Sequence, residues 1–257
     1  MHIIVCIKSV IIKPEYSGSV RSSEFSELNP FDRQALEMAF LLKESLEKGT
    51  VTVISMGPKE ISFAIYEAMA MGADRGVLVC DPSISGSDTL ATSTILASAI
   101  KKLSPFDLVL FGTRTFDSDT GHVGPQTATL LDIPLITYAQ KIKLSGGFAN
   151  VERTMDGIKE SFEVELPGAF TIHHMANIPR DIGLLGIKES FDEKLITVWN
   201  LNDLNLSQDS VGKRGSPTIV LSVKKVTKDR KCEFINGKPE EQVQKLIDKL
   251  IEKGLLV

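Results

Sequence analysis

"DLVLFGTRTFDSDTGHVGPQTA", residues 107–128, is the most informative stretch of this 257-residue chain. An apolar run leads into a loop that contains Gly112, Gly121 and Gly124, and the loop leads into a segment with helical spacing from about residue 121. A strand that continues through a short loop into a helix is the repeating unit of parallel α/β sheets. Because ligands of such sheets bind beyond the carboxyl ends of the strands, this loop is the first candidate for a binding site.

The same alternation of apolar runs and helical patterns fills the first half of the chain. "HIIVCIK" (2–8) is almost entirely apolar, which is typical of a strand buried on both faces. In "NPFDRQALEMAFLLKESLEKG" (29–49), Asn29 suits the N-cap, Pro30 the first helical position and Gly49 the end of a helix. The further strands and helices predicted in this part are 51–57, 58–73, 76–80, 87–103 and 106–112. We therefore predict a Rossmann-like parallel sheet with helices on both faces.

The second half of the chain has a different pattern. Residues 135–174 alternate with period two and contain the turn pairs "GG" and "DG", which predicts an antiparallel β-meander that continues or flanks the sheet. The residues that follow have little periodicity before a late strand predicted over 217–226 and a final helix over 239–254. A long irregular stretch is unusual inside a compact domain. We therefore expect an α/β core over 1–185, which contains the candidate binding loop. We expect residues 186–257 to form an extended C-terminal arm that packs on a partner.

Composition and charge argue against several classes of protein. The net charge of −4 and the scattered basic residues give no reason to expect nucleic acid binding. No apolar run approaches the roughly 18 residues of a membrane span, and the N-terminus lacks a signal-peptide pattern, so we expect a cytoplasmic protein. Cys6, Cys80 and Cys232 are too far apart in sequence for a disulfide framework or a metal-ligand spacing.

The loop after Gly112 combines the glycines of a phosphate-binding turn with two aspartates. Glycines let the backbone approach a ligand closely, and N–H groups at a helix N-terminus can bind an anion. A Walker loop needs a lysine followed by Ser or Thr, which "DTGHVGPQT" lacks, so phosphoryl transfer is poorly supported. Asp117 and Asp119 would repel a phosphate, and we expect them to cap the helix, brace the loop or hydrogen-bond a ribose. The residues alone leave two alternatives open: a binding site for an adenine nucleotide, and a plain strand-to-helix turn.

The histidines carry weaker signals. His122, close to the helix start, is either a capping or surface residue or an acid–base group whose partner the sequence does not place. His173 and His174 are adjacent on a predicted strand, so we expect their side chains to face opposite sides and not to bind one metal ion together. The chain shows no nucleophile–base pattern, and no residue is predicted to be catalytic.

Three apolar residues lie in a segment whose glycine and proline residues indicate an exposed loop. Leu184, Leu185 and Ile187 belong to "NIPRDIGLLGIKESFDEKL" (177–195). Exposed apolar residues on a loop are candidate docking residues for a partner protein. The alternative is a loop packed on the core of its own chain.

Seven segments of the chain, in order, resemble the β subunit of electron-transfer flavoproteins. They are "IVCIK" (4–8), "LNPFDRQALEMAFLLKE" (28–44), "VTVISMGP" (51–58), "AMAMGADRGVLV" (68–79), "DLVLFGTRTFDSDTGHVGPQTATLLDIPLITYAQKI" (107–142), "VERTMDG" (151–157) and "NIPRDIGLLGI" (177–187). One such segment would be a weak signal, whereas seven in family order are a strong one. The resemblance covers nearly the whole chain.

The resemblance implies a heterodimer that passes electrons between flavins and a partner dehydrogenase. In this family the α subunit carries the electron-transferring FAD, and the C-terminal arm of the β subunit wraps around the α subunit. The β subunit binds a nucleotide of its own, which is AMP in the simple electron carriers and a second FAD in the electron-bifurcating members. Redox activity is thus implied only for the flavoprotein complex and not for this chain alone.

The resemblance also assigns residues by position. Cys6, Asn29 and Met56 match family residues that line the adenine and ribose pocket. Leu184 falls on the leucine of the recognition loop that docks the partner dehydrogenase. The residues that fall on the family's phosphate loop are Asp117, Asp119, Thr120, Gly121, Val123, Gly124 and Thr127, and Gly112 and His122 complete the predicted cofactor-binding set.

Two features modify what the resemblance implies. Thr120 and Gly121 are small and leave room for a bulkier ligand beside a pyrophosphate, which favours a second FAD over AMP and, with it, bifurcation from NADH. Residues 177–195 hold one more acidic than basic side chain, where the family's recognition loop continues into lysines. An acidic patch does not suit the same docking surface, so a lactate-type flavin-dependent dehydrogenase is an alternative to the acyl-CoA type. The alternative from another class is a stand-alone adenine-nucleotide sensor of this fold without electron transfer.

Overall fold

The computed structural model describes residues 1–11, 26–46, 48–190, 196–222 and 232–256. The chain forms two compact units, Met1–Ile219 and Val220–Val257. The strands, all in the first unit, are β1 (His2–Cys6), β2 (Ser9–Ile11), β3 (Ser26–Leu28), β4 (Thr50–Met56), β5 (Arg75–Val79), β6 (Leu108–Gly112), β7 (Leu135–Ala139), β8 (Lys141–Ser145), β9 (Phe148–Met155), β10 (Ile158–Glu165), β11 (Gly168–Ile172) and β12 (Ile196–Trp199). The α-helices are α1 (Pro30–Glu44), α2 (Ser62–Met71), α3 (Thr89–Lys102), α4 (Val123–Leu131), α5 (Leu184–Ser190), α6 (Gly212–Gly215) and, in the second unit, α7 (Pro239–Glu252).

A seven-stranded sheet forms the centre of the first unit, in the order β12-β5-β4-β1-β6-β11-β7. Every neighbouring pair in it is parallel. Ile3, Ile4 and Val5 of β1 are fully buried, because helices cover both faces of the sheet. The predicted Rossmann-like parallel sheet is therefore confirmed.

The two faces of the sheet are covered by different helices. Ile3 and Val5 of β1 pack in a hydrophobic cluster with α1 and α2, whereas Ile4 and Cys6 pack in a second cluster with α3 and α4. This division follows from the strand geometry, in which successive side chains point to opposite faces. The prediction of helices on both faces is confirmed.

The direction in which strands are added to the sheet reverses at β1. The chain places β4 and then β5 on one side of β1 and later crosses over to place β6 on the other side. Cys6 consequently lies beside Ile54 of β4 and beside Phe111 of β6. Such a reversal leaves a crevice beyond the carboxyl ends of the two central strands, because the helices that follow them leave toward opposite faces. The loop that starts at Gly112 borders this crevice.

Helix α1 ends at Glu44, before the glycine that was predicted to stop it. The N–H of Ser45 donates to the carbonyl oxygens of Leu41 and Leu42, and the Ser45 hydroxyl donates to the Leu42 carbonyl at 2.7 Å. These bonds satisfy carbonyls of the last turn without a left-handed residue. The predicted end at Gly49 is therefore wrong.

The predicted meander over 135–174 is divided between two sheets. Strands β8, β9 and β10 form a separate three-stranded antiparallel sheet, with positive φ angles at Gly146, Gly147, Asp156 and Gly157 in its two turns. Strands β7 and β11, the first and last of the segment, instead pair with each other in parallel within the main sheet. A period of two identifies strands but does not identify the partners with which they pair.

Residues 176–216 contain elements that the sequence pattern did not predict. Leu184–Ser190 is the short helix α5 where a loop was predicted, and Ile196–Trp199 is the strand β12, which extends the main sheet beside β5. Both elements are shorter than the window over which hydrophobic periodicity can be read.

The helix α7 dominates the described part of the second unit and confirms the helix predicted over 239–254. Its apolar residues Val243, Leu246, Ile247 and Ile251 are exposed at helical spacing. The strand predicted over 217–226 is wrong for residues 217–222, which have no ladder partner among the described residues; the rest of that segment lies outside them. The division into a core (1–185) and a partner-bound arm (186–257) stays a prediction. No helix within the described ranges is both long enough and apolar enough to cross a membrane.

Candidate functional site

A buried carboxylate in the first turn of α1 joins three segments at the crevice. Asp32 Oδ2 accepts the backbone N–H of Lys8 (2.7 Å), just beyond β1, and Oδ1 accepts from Asn29 Nδ2 (2.9 Å). The backbone N–H of Gly112, at the end of β6, also donates to this carboxylate. The three donors lie just beyond β1, at the end of β6 and at the start of α1, so Asp32 fixes these segments relative to one another.

Burial changes the protonation chemistry of this carboxylate. Asp32 is only 4% exposed, and burial raises its pKa from the ordinary 3.8 to about 7. The hydrogen bonds from Asn29, Lys8 and Gly112 and the charge of Lys8 oppose this rise, because they stabilise the ionised form. The effect of burial on the pKa of Asp32 is therefore larger than the opposing effect of the three hydrogen-bond donors and the charge of Lys8.

Asn29 connects the same helix start to the loop that follows β6. Its Nδ2 donates to the carbonyl of Arg114 (3.0 Å), and its Oδ1 accepts the N–H of Phe116 (3.1 Å). Asn29 occupies the N-cap position as predicted, but its side chain makes no capping bond because these loop partners take its polar atoms. The residue is fully buried, so its predicted place at an adenine or ribose pocket stays a prediction.

Gly112 permits the close approach of α1 to β6. A Cβ atom at this position would lie 2.3 Å from Asp32 Oδ1 and 2.8 Å from the carbonyl oxygen of Phe31. Both distances are shorter than a non-bonded contact allows, and the backbone of Phe31 has little freedom to move. Glycine is therefore needed here for packing, whatever the ligand.

Ion pairs brace the loop on both sides. Lys8 Nζ lies 2.6 Å from Asp117 Oδ1, and Arg114 lies 3.3 Å from Asp119 Oδ1. Asp119 has a left-handed backbone (φ 53°), as does Gly121 (φ 65°), which matches the residue types that tolerate this region. The prediction that the aspartates brace the loop is confirmed, whereas neither of them caps α4.

The loop ends in the first turn of α4, where small and hydroxyl side chains line the helix start. The N–H groups of Val123 and Gly124 have no acceptor within the helix, as in any first turn. Gly124 lets α4 pack closely, since a Cβ there would lie 3.0 Å from Thr171 Cγ2. Thr127 is fully buried, and its hydroxyl has no hydrogen-bond partner among the described residues. Thr120 and His122 are exposed on the loop, and Gly121 is half-buried.

Cys6 and Met56 reach the crevice from the ends of β1 and β4. Both pack on the hydrophobic cluster beneath α3 and α4, as does Val123 at the start of α4. Burial, and to a smaller extent the charge of Asp32, raises the pKa of the Cys6 thiol, which therefore stays protonated at neutral pH. The structure thus brings the predicted pocket residues Cys6 and Met56 to the same edge and face as the predicted loop residues of α4.

The two adjacent histidines do not face opposite sides as predicted. The rings of His173 and His174 lie 4.3 Å apart between centroids and are tilted by 30°. Strand β11 ends at Ile172, so the alternation of a strand no longer applies to them. Within the described ranges, no group of three or more His, Cys, Asp or Glu side chains could hold a metal ion.

The predicted docking residues are exposed as expected. Leu184, Leu185 and Ile187 are 88%, 68% and 42% exposed on α5. The helix itself packs against α2, where a Cβ on Gly186 would lie 2.3 Å from the carbonyl oxygen of Ala70. The segment is thus not tucked onto the core through its leucines, and a partner contact for them stays a prediction.

The sequence analysis did not identify Lys8 or Asp32 as residues of the site, although the position of Asp32 in its helix is unusual. Asp32 lies three and four residues before Ala35 and Leu36, so it falls on the apolar stripe of α1, where a charge is unusual. Lys8 and Asp117 are 109 positions apart, and no local pattern indicates that they meet.

The chain is similar to known electron-transfer proteins over its whole length. Residues 19–200 match the family model described as the electron transfer flavoprotein domain. The electron transfer flavoprotein subunit beta of Thermoanaerobacterium thermosaccharolyticum is 37% identical, with 100% of both chains covered. A caffeyl-CoA reductase–Etf complex subunit of Acetobacterium woodii is 37% identical, and the acryloyl-CoA reductase electron transfer subunit gamma of Anaerotignum propionicum is 38% identical, each with 100% of both chains covered.

The raised pKa of Asp32 predicts a pH dependence of folding stability. Between about pH 4 and pH 7 the folded state holds a proton on Asp32 that the unfolded state releases, so this contribution to stability is present below about pH 4 and is lost as the pH rises through about 7. Urea unfolding at several pH values should show Asp32→Asn losing less stability than the wild type as the pH rises. Asp132→Asn, which removes an exposed carboxylate at the other end of α4, is the control. Parallel pH profiles for wild type and Asp32→Asn would contradict the assignment.

Proposed function

This chain belongs to the electron transfer flavoprotein family as a β subunit, and we propose that it binds an adenine nucleotide at the loop 112–127. In the proposed complex it pairs with an α subunit that carries the electron-transferring FAD. FAD supplies one- and two-electron transfer when it is bound, and this chain supplies the binding site, the orientation of the nucleotide and the docking surface.

The start of α4, directly after the left-handed Gly121, is the observation that carries the nucleotide proposal. The N–H groups of Val123 and Gly124 have no acceptor within the helix, as in any first turn. They lie at the end of the loop that borders the crevice. A pyrophosphate beside the helix start would supply acceptors for both N–H groups.

The space beside Gly121 supports a second FAD over AMP. The nearest atom to a Cβ built on Gly121 is the carbonyl oxygen of Thr113, at 3.2 Å, and no side chain lies within 4 Å of that position. The neighbouring Thr120 is small and exposed. Nothing at this point of the described loop therefore blocks a ligand that extends beyond a mononucleotide. On this basis we propose FAD at the β site, with NADH as the electron donor of a bifurcating complex.

The side chains around the site favour binding and positioning over proton transfer or covalent chemistry. The Cys6 thiol is protonated and buried, so it is a poor nucleophile. The carboxylate of Asp32 is occupied by three donors from the protein. Lys8 and Asp117 neutralise each other at the edge of the loop, which reduces the repulsion that a free carboxylate would exert on a phosphate.

A partner dehydrogenase or reductase is proposed to dock on α5. Two of the relatives are named for caffeyl-CoA reductase and acryloyl-CoA reductase complexes, which supports a partner that acts on a CoA thioester. The lactate-type alternative rests on charge, since the exposed charged residues Asp181, Lys188 and Glu189 leave a slight acidic excess.

The alternative of a stand-alone nucleotide sensor is less well supported. Helix α7 exposes an apolar stripe formed by Val243, Leu246, Ile247 and Ile251. A helix with such a stripe needs another surface to cover it, and an α subunit would supply one.

Nucleotide release from the purified heterodimer tests the proposed site. Wild-type protein should release two FAD per heterodimer, while one FAD and one AMP would support the simple carrier. Gly121→Arg should lose the β-site nucleotide, because the arginine side chain fills the space beside the loop, and should retain the α-subunit FAD. Gly146→Arg is the matched control, since Gly146 has a similar φ of 59° and open space around it in the β8–β9 turn. Equal nucleotide content in both variants would place the binding site elsewhere.

The docking surface is tested through its most exposed leucine. Leu184→Ala should lower the second-order rate constant of electron transfer to a purified acyl-CoA dehydrogenase about tenfold, because it removes the apolar side chain that inserts into the partner. Ile158→Ala truncates an apolar side chain that is 65% exposed on β10 and should have no effect. An unchanged rate for Leu184→Ala, measured by stopped-flow flavin absorbance, would remove α5 from the docking surface.

A further inference from the structure

One arginine ties the segment that carries the exposed leucines to helix α1. The backbone N–H of Arg180 and its Nε both donate to Glu37 Oε2, at 3.0 and 2.9 Å. Its two terminal nitrogens donate to Glu37 Oε1 (3.1 Å) and to Glu44 Oε1 (2.8 Å). The guanidinium also lies over the ring of Phe40, 4.9 Å from the centroid. We call Arg180, Glu37, Glu44 and Phe40 the Arg180 anchor, and residues 177–190 the docking segment.

The inner half of the anchor is buried, which distinguishes it from a surface ion pair. The Glu37 side chain is 7% exposed, whereas Glu44 is 57% exposed. Burial alone would raise the pKa of Glu37, but the hydrogen bonds and charge of Arg180 lower it below the ordinary value. Glu37 therefore stays ionised, and its full pairing depends on Arg180. Exposed pairs contribute little to stability, but loss of one partner of a buried pair leaves an uncompensated charge.

Two further contacts fix the docking segment on either side of Arg180. Before it, Asn177 Nδ2 donates to the carbonyl of Gln34 on α1 (3.0 Å). After it, Gly186 lies directly on α2, where a Cβ would come within 2.3 Å of the Ala70 carbonyl oxygen. Leu184 and Leu185, which lie between these contacts, are exposed and do not pack on the core. Polar contacts, one close backbone approach and the packing of Ile182 on the core thus hold the segment, while its two leucines stay exposed.

We propose that Arg180 is a positioning residue for partner docking, which holds Leu184 and Leu185 in the orientation that the partner binds. The proposal rests on the docking role of α5 stated above. A segment that is already ordered does not lose conformational freedom when the partner binds, so its association is stronger than that of a mobile segment with the same side chains. The anchor touches neither the nucleotide loop nor the leucines, so its effect is confined to the orientation of the segment.

The test compares Arg180→Gln with Leu184→Ala in the purified heterodimer, with an acyl-CoA dehydrogenase that the wild type reduces as the probe. Arg180→Gln should raise the apparent KM for the dehydrogenase about tenfold and leave kcat and nucleotide content unchanged. Amide exchange at Ile187, whose N–H donates to the Gly183 carbonyl (3.0 Å), should become faster without any partner present. Arg180→Lys, which keeps the charge but not the planar fork, should fall between the wild type and Arg180→Gln.

Arg214→Gln is the matched control, because Arg214 forms a largely exposed pair with Asp209 and the substitution should change none of these quantities. A normal KM for Arg180→Gln, together with slower electron transfer by Leu184→Ala, would overturn the positioning role of Arg180 and leave the docking role of α5 intact. A normal KM for both variants would overturn both roles. If Arg180→Gln does not fold, Glu44→Gln is the substitute, because it removes only the exposed half of the anchor. The proposal would then be overturned if both Glu44→Gln and Arg180→Lys left the KM and the Ile187 exchange rate unchanged.

Discussion

The hydrogen bonds of one buried carboxylate, Asp32, hold the functional edge of the molecule in place. Its donors are Lys8, two residues beyond β1, Gly112, the last residue of β6, and Asn29, at the start of α1. Gly112 lets these segments approach, and Asn29 extends the same set of bonds into the loop that follows. Side chains thus satisfy the backbone N–H groups of Lys8, Gly112 and Phe116 and the carbonyl of Arg114 beside the crevice. The N–H groups at the start of α4 have no acceptor within the helix and are available to a ligand.

Helix α1 positions two sites with different chemistry. Its first turn, at Asn29 and Asp32, supports the nucleotide loop, whereas Glu37 and Glu44, one to three turns further on, hold Arg180 of the docking segment. At 1.5 Å per residue, these supports are spread over roughly 20 Å of one rigid element. One helix thus connects the residues that support the proposed nucleotide site with those that hold the proposed docking segment.

The sequence predicts the α/β core well because both faces of the central strands are buried and the helices are long. It predicts the antiparallel part less well, because the period of two in β7 and β11 is the same whether a strand joins the parallel or the antiparallel sheet. The short elements α5 and β12 give too few residues for any period to appear. The strand predicted over 217–226 shows the opposite error: an apolar β-branched run forms no ladder over 217–222 with any part of the chain that the structure describes.

The loop of the candidate site could be found from its glycines, but not the residues that support it. Lys8 and Arg180 act through partners far away in sequence, and only the fold brings those pairs together. Asp32 was visible as a charge on an apolar helical stripe. A charge at such a position indicates either a structural tie or a functional group, and here the three protein donors identify a structural tie.

The central claim is tested most directly by the nucleotide affinity of an Asn29→Ala heterodimer from which the β-site nucleotide has been removed. Asn29 is fully buried and its side-chain polar atoms bond to Asp32, Arg114 and Phe116, so the truncation acts through the loop. Calorimetric titration with FAD and with AMP should show a dissociation constant at least about tenfold higher than that of the wild type, which corresponds to about 1.4 kcal/mol, with the α-subunit flavin retained. A dissociation constant equal to the wild-type value would contradict the claim that this set of buried bonds prepares the loop for its nucleotide.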